Sequence, residues 1–63
     1  MKLNEFLKEA RIKKGLTQRQ LAEKLGVKYQ LIQQYEYGKL IPSVKRLIQL
    51  AKILDIDLND IVK

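Results

Sequence analysis

The sequence predicts an all-α fold, a compact bundle of five short helices, and three observations carry that expectation. Apolar residues return every three or four positions within each segment, which is the spacing of a helix with one buried side. No segment sustains the alternation that a half-buried strand needs. Gly15, Gly26, Gly38 and Pro42 divide the 63 residues into pieces of helical length.

The elements follow in order. Leu3, Phe6, Leu7 and Ala10 make the stripe of a first helix over residues 3 to 14, ended by Gly15. Thr17 stands where an N-cap belongs, and Leu21, Ala22 and Leu25 line a second helix over about residues 18 to 25, ended by Gly26. Residues 28 to 36 make a third, followed by a loop through Tyr37, Gly38 and Pro42. Ser43 caps a fourth, lined by Val44, Leu47, Ile48, Leu50, Ala51 and Leu54. Asp57 caps a short fifth that carries Leu58, Ile61 and Val62. No repeat, linker or low-complexity tract interrupts them, so residues 1 to 63 read as one domain. Stripes on every helix suit a globule rather than a coiled coil, which needs sustained heptads.

Composition narrows the function classes. The chain has no cysteine, hence no disulfide and no thiolate zinc site. It has no histidine, the usual catalytic base and the commonest metal ligand. Its single serine, Ser43, has no base to activate it, and the carboxylates are scattered or sit at helix ends. Neither an enzyme nor a cofactor is expected. Apolar runs stay far below the roughly 20 residues of a membrane span, and MKLNEFLKEA lacks the apolar centre of a signal peptide. A soluble, cytoplasmic protein is the expectation.

Thirteen Lys and Arg against seven Asp and Glu give a net charge of +6, which favours polyanions: DNA, RNA or an acidic membrane surface. Lysines that only keep a small domain soluble give the same total. The distribution is more informative. Lys2, Lys8, Arg11, Lys13, Lys14, Arg19, Lys24, Lys28 and Lys39 all precede residue 40, whereas Asp55, Asp57 and Asp60 gather near the C-terminal end.

The third helix holds the unusual chemistry. Residues 26 to 39, GVKYQLIQQYEYGK, contain three glutamines and all three tyrosines of the chain. Successive side chains on a helix turn by ~100°, so with Ile32 facing inward Tyr35, Glu36, Lys28 and Tyr29 fall within ~60° of it. Gln30 and Gln34 fall at about 160°, pointing away from the core one turn apart, with Leu31 and Gln33 flanking them. An amide both donates and accepts, as adenine N6 and N7 require in the major groove, and it also reaches guanine acceptors. A glutamine pair alone equally suits a solvated face. Its context is a helix, a tight turn at Gly26-Val27 and a second helix, the helix-turn-helix layout. Gln18 at the start of helix 2 is placed to bond a phosphate with help from the helix dipole. Lys28 and Lys39 bracket helix 3, suited to phosphates on either side of a groove.

RIKKGLTQRQLAEKLGV, then Ile32, Glu36 with Gly38-Lys39, and finally PSVKRLIQLAKIL with DLNDIV resemble, in order and spacing, the phage-repressor-like helix-turn-helix domain of the Cro and Xre type. The resemblance runs from Leu3 to Val62. It implies a lambda-repressor-like bundle of five helices that binds operator DNA, commonly as a two-fold dimer. Carried over by position, it puts the phosphate-contacting glutamine on Gln18, with Thr17 beside it. Base-reading positions fall on Tyr29, Gln30 and Gln34, with Gln33 nearby, and loop contacts to phosphate on Tyr37, Gly38 and Lys39. A structural ion pair falls on Arg11 and Glu36. Three residues depart from the pattern. Lys28 takes the place of a small hydroxyl residue, which weakens the cap and adds charge. Tyr29 is larger than most readers, suited to a thymine methyl or the sugar-phosphate. Leu40 and Ile41 stand where relatives frequently carry basic residues.

Two functions from different classes fit. The first is a sequence-specific double-stranded DNA-binding regulator, of the repressor kind, which acts by occupying an operator and joins the nucleoid when bound. One recognition helix per chain then implies a homodimer on palindromic half-sites about 34 Å apart. Leu58, Ile61 and Val62, joined by Leu40 or Ile41, are the interface candidates, although Leu58 and Ile61 equally suit the core. The second is a protein-interaction or antitoxin-like adaptor on the same scaffold, with Tyr29, Leu31, Leu40 and Ile41 as its apolar patch.

Overall fold

In the computed structural model, which describes residues 2–60, four α-helices follow one another: α1 (Leu3–Lys13), α2 (Gln18–Leu25), α3 (Tyr29–Glu36) and α4 (Val44–Leu54). A 3-10 turn at Leu58–Asp60 comes last. Local chemistry sets most of these limits. Thr17 is extended, its hydroxyl oxygen accepts from the Gln20 amide at 3.0 Å, and the Gln20 side-chain oxygen accepts from the Thr17 amide at 2.8 Å. This reciprocal capping box satisfies two of the amides that any helix start leaves unpaired. At the other end of α2, Gly26 adopts φ +77° and donates to the Glu23 carbonyl, while Val27 donates to the Ala22 carbonyl at 3.0 Å. A side chain at that φ is strained, so the sequence needs glycine at the tight turn into α3.

Ser43 caps α4 by accepting from the Arg46 amide at 3.2 Å. Lys28 occupies the same position before α3 in an extended conformation, without a side-chain cap bond, so α3 begins one residue later than expected. The largest departure concerns the end of the chain. Among the described residues there are four α-helices rather than five. Asp57 does start a turn, accepting from the Asn59 amide at 2.9 Å and the Asp60 amide at 3.0 Å, but it closes a single 3-10 turn. Ile61 and Val62, assigned to the fifth helix, lie outside the described residues.

Leu7 and Ala10 of α1, Leu21 and Ala22 of α2, Ile32 and Tyr35 of α3, and Leu50 and Leu54 of α4 form one buried cluster. Ile32 and Leu50 are the most completely enclosed of these. α3 packs on both α1 and α2, and α4 closes against α2. The stripe assigned to α4 is wider than the helix buries. Val44 and Ile48 are 74% and 41% exposed. Ile48 lies about 110° from the direction shared by Leu47, Leu50, Ala51 and Leu54, and Val44 is the first residue of the helix, at its outer end. No helix among the described residues is long and apolar enough to cross a membrane.

Candidate nucleic-acid interface

A buried carboxylate ties together the elements that carry the candidate residues. Glu36, at the end of α3, accepts from Arg11 Nε through Oε2 at 2.7 Å and from Arg11 Nη2 through Oε1 at 3.1 Å. Both partners are largely enclosed, with side chains 11% and 2% exposed. Arg11 also donates through Nη1 to the Leu16 carbonyl at 2.8 Å, which fixes the turn between α1 and α2. Gln18 joins through Nε2, which donates to Glu36 Oε1 at 3.1 Å. Asn4 donates to the Glu36 carbonyl at 3.3 Å. Among the described residues no buried side-chain nitrogen or oxygen lacks a partner. Such a fully satisfied network in a low-dielectric interior holds its helices in one arrangement.

With α3 clamped at its end and anchored by Ile32 and Tyr35, its opposite face is determined. Gln30 and Gln34 are exposed, while Leu31, Gln33 and Tyr29 are half-buried beside them. Positions 30 and 34 are one turn apart, a rise of ~6 Å along the helix axis. Lys28 is exposed just before α3, and Tyr37, Gly38 and Lys39 are exposed just after it. Gly38 takes φ +76° and donates its amide to the Tyr35 carbonyl at 3.3 Å, and Lys39 donates its own to the Gln34 carbonyl at 3.0 Å. These two loop amides are therefore engaged within the chain. Tyr37 and Lys39 offer their side chains outward.

At the start of α2 the picture is divided. Thr17 uses its hydroxyl oxygen as the cap, and Gln18 turns one amide hydrogen inward to Glu36. Sequence reasoning attached no role to Arg19, whose guanidinium carbon lies 4.1 Å from the centre of the Tyr29 ring. The signal was available in principle, since a helix-turn-helix brings the starts of its two helices together and Arg19 follows Gln18 directly. Arg11, Thr17, Gln18, Arg19, Tyr29 and Gln33 share one open recess between the ends of α1, α2 and α3. Asn4 is a second residue without a sequence-level assignment. Its bond to α3 depends on a fold contact that no local pattern signals.

Among the dimer candidates, Leu58 is half-buried, and Ile61 and Val62 lie outside the described residues. Leu40 and Ile41 are exposed, Ile41 by 79%, and they precede the uncovered Val44 and Ile48 of α4.

Comparison with known proteins gives concordant results. YqaE of Bacillus subtilis, an uncharacterized HTH-type transcriptional regulator, is 40% identical over 60 residues, covering 95% of this chain and 52% of its own length. Multiprotein-bridging factor 1a of Arabidopsis thaliana is 44% identical over 52 residues, covering 82% of this chain and 37% of its own. The chain thus spans about half the length of the first relative and less of the second. The crystal structure of SinR, a master regulator for biofilm formation, in complex with DNA superposes with a TM-score of 0.86 at 26% identity, covering 97% of this chain and 98% of that one. A sequence profile of the helix-turn-helix family matches residues 7–61, and with the α2–turn–α3 unit in place the chain belongs to that family, in the Cro and Xre type that its motifs resemble.

Proposed function

We propose that residues 1 to 63 act as one helix-turn-helix unit that binds double-stranded DNA in a sequence-specific way and regulates transcription. The observation that carries this reading is the outward exposure of Gln30 and Gln34 on a helix whose other face is locked into the core. Their ~6 Å separation corresponds to about two base-pair steps of ~3.4 Å. In this reading α3 lies in the major groove. Gln30 and Gln34 read base edges, and Gln33 and Tyr29 border them. Lys28, Tyr37, Lys39, Thr17 and the remaining side-chain amide hydrogen of Gln18 meet phosphates, while Gly38 shapes the loop. The likeness to SinR, crystallised with DNA, supports the same docking. Occupancy of an operator makes the protein a repressor, and two copies on a palindrome supply the second recognition helix, with Leu58, Ile61 and Val62 among the contacts.

A direct test compares the affinity for a selected duplex with that for a random one. Gln30→Ala and Gln34→Ala each lower that ratio by about 1–3 kcal/mol, the value of a lost bidentate base contact. An unchanged ratio in both variants removes base reading by α3.

One observation favours a second reading. Leu40, Ile41, Val44 and Ile48 are apolar side chains left exposed in the stretch that follows α3, and one relative is a multiprotein-bridging factor. A domain that bridges proteins would use such a surface. Equal, weak binding to every duplex at physiological salt favours this alternative.

A further inference from the structure

We propose that Arg19, laid on the ring of Tyr29, is a further specificity-determining residue, one that recognises guanine beside the bases met by the two outward glutamines. The proposal rests on the DNA-binding reading given above.

The contact places a guanidinium 4.1 Å from the Tyr29 ring centre, at the junction where α2 and α3 both begin. At that distance the guanidinium makes a cation–π contact, and a guanidinium lying flat on the ring would keep its in-plane N–H groups free along the edge. A guanidinium held in that way offers the two parallel donors that guanine O6 and N7 accept. Fixing the plane beforehand also removes much of the rotamer entropy that a free arginine loses on binding.

Charge points the same way. Arg11, the other arginine at this corner, is paired with Glu36. Glu23, one turn further along α2, does not pair with Arg19, which therefore presents an uncompensated charge on an exposed side chain. Gln18, its neighbour, is drawn inward by Glu36. Arg19 is left as the outward-facing long side chain at this corner of the recess.

Position explains why a base is the better target than a phosphate. A phosphate needs only a nearby cation, and a mobile lysine suffices. The stack instead couples Arg19 to the first residue of the recognition helix, so its direction follows that of α3. Because Tyr29 precedes Gln30, the guanine lies at the flank of the site on the side of the start of α3. Tyr29 correspondingly has one ring face occupied, and acts here as a platform before it acts as a reader.

The test is selection of duplexes from a random library by the protein and by Arg19→Ala, Arg19→Lys, Tyr29→Phe and Tyr29→Leu, each first checked for an unchanged helical circular-dichroism spectrum. The protein selects a motif with guanine at one flank. Arg19→Ala loses that guanine and keeps the inner positions, with affinity for the selected duplex falling about 5- to 160-fold and for a random duplex much less. Arg19→Lys keeps the charge and still loses the guanine. Tyr29→Phe keeps the ring and the preference, whereas Tyr29→Leu weakens it. Retention of the flanking guanine in both Arg19 variants overturns the proposal and leaves the DNA-binding reading intact. So does an equal loss on selected and random duplexes in Arg19→Ala, which marks a phosphate contact. Absence of any motif with the unaltered protein overturns both.

Discussion

Glu36 concentrates more consequence than any other single residue, because three hydrogen bonds from two side chains converge on its carboxylate. Removing it leaves the Arg11 guanidinium charged and largely enclosed, so Glu36→Ala is expected to cost about 3–5 kcal/mol, the range for breaking a buried pair. In a domain of this size that is a large share of total stability. Glu36→Gln keeps the shape but sets an NH2 group against the donors of Arg11 or Gln18, at about 1–3 kcal/mol. Replacing both partners, Arg11→Met with Glu36→Met, removes the charges together and returns most of the melting temperature. The double variant then separates two roles. If the pair aims α3, the double variant melts near the unaltered protein yet binds the selected duplex more weakly, a result that thermal melts and a binding titration read directly. The pair was legible in the sequence only through a family resemblance. The third member was not, since Gln18 had an equally good use facing solvent and nothing in its neighbours chose between them.

At the scale of an element, the stop of α1, both ends of α2 and the start of α4 were written in residues whose physics is local: Gly15, Thr17, Gly26 and Ser43. α3, like α1, starts without a side-chain cap. The N-cap position of α3 carries Lys28, whose side chain makes no cap bond. Lys28→Ser supplies the missing acceptor and is expected to add about 1 kcal/mol, which corresponds to a rise of about 4–8 °C in melting temperature for a domain this small. The same change removes a positive charge and lowers affinity for all duplexes alike, so stability and binding move in opposite directions. Melts and titrations on one sample check both. Where the sequence misled, it did so through periodicity. Val44 and Ile48 return at helical spacing and still face solvent, because an eleven-residue helix that meets its neighbours along one side buries less than the full apolar arc. Of the expected fifth helix the described residues show one 3-10 turn, Leu58–Asp60, which Asp57 starts.

For the whole molecule, charge governs behaviour towards a polyanion. Removing one phosphate contact reduces the slope of log K against log salt by about 0.9. Lys39→Ala is therefore expected to flatten that slope by about this amount and to weaken selected and random duplexes by the same factor, unlike the glutamine variants. A titration from low to physiological salt on both duplexes checks it. The basic balance and the exposed amides were readable from composition and helical geometry, but the Arg19–Tyr29 stack required the two helix starts to be placed in space. Helix endings that depend on neighbours only a few residues away have one further consequence. Much of the topology is specified by short-range events, which puts the chain among the fast folders, in the microsecond-to-millisecond range typical of helical bundles with few distant pairings. A newly synthesised copy would then become structured within milliseconds, so its concentration, rather than its maturation, would set how much folded protein is present.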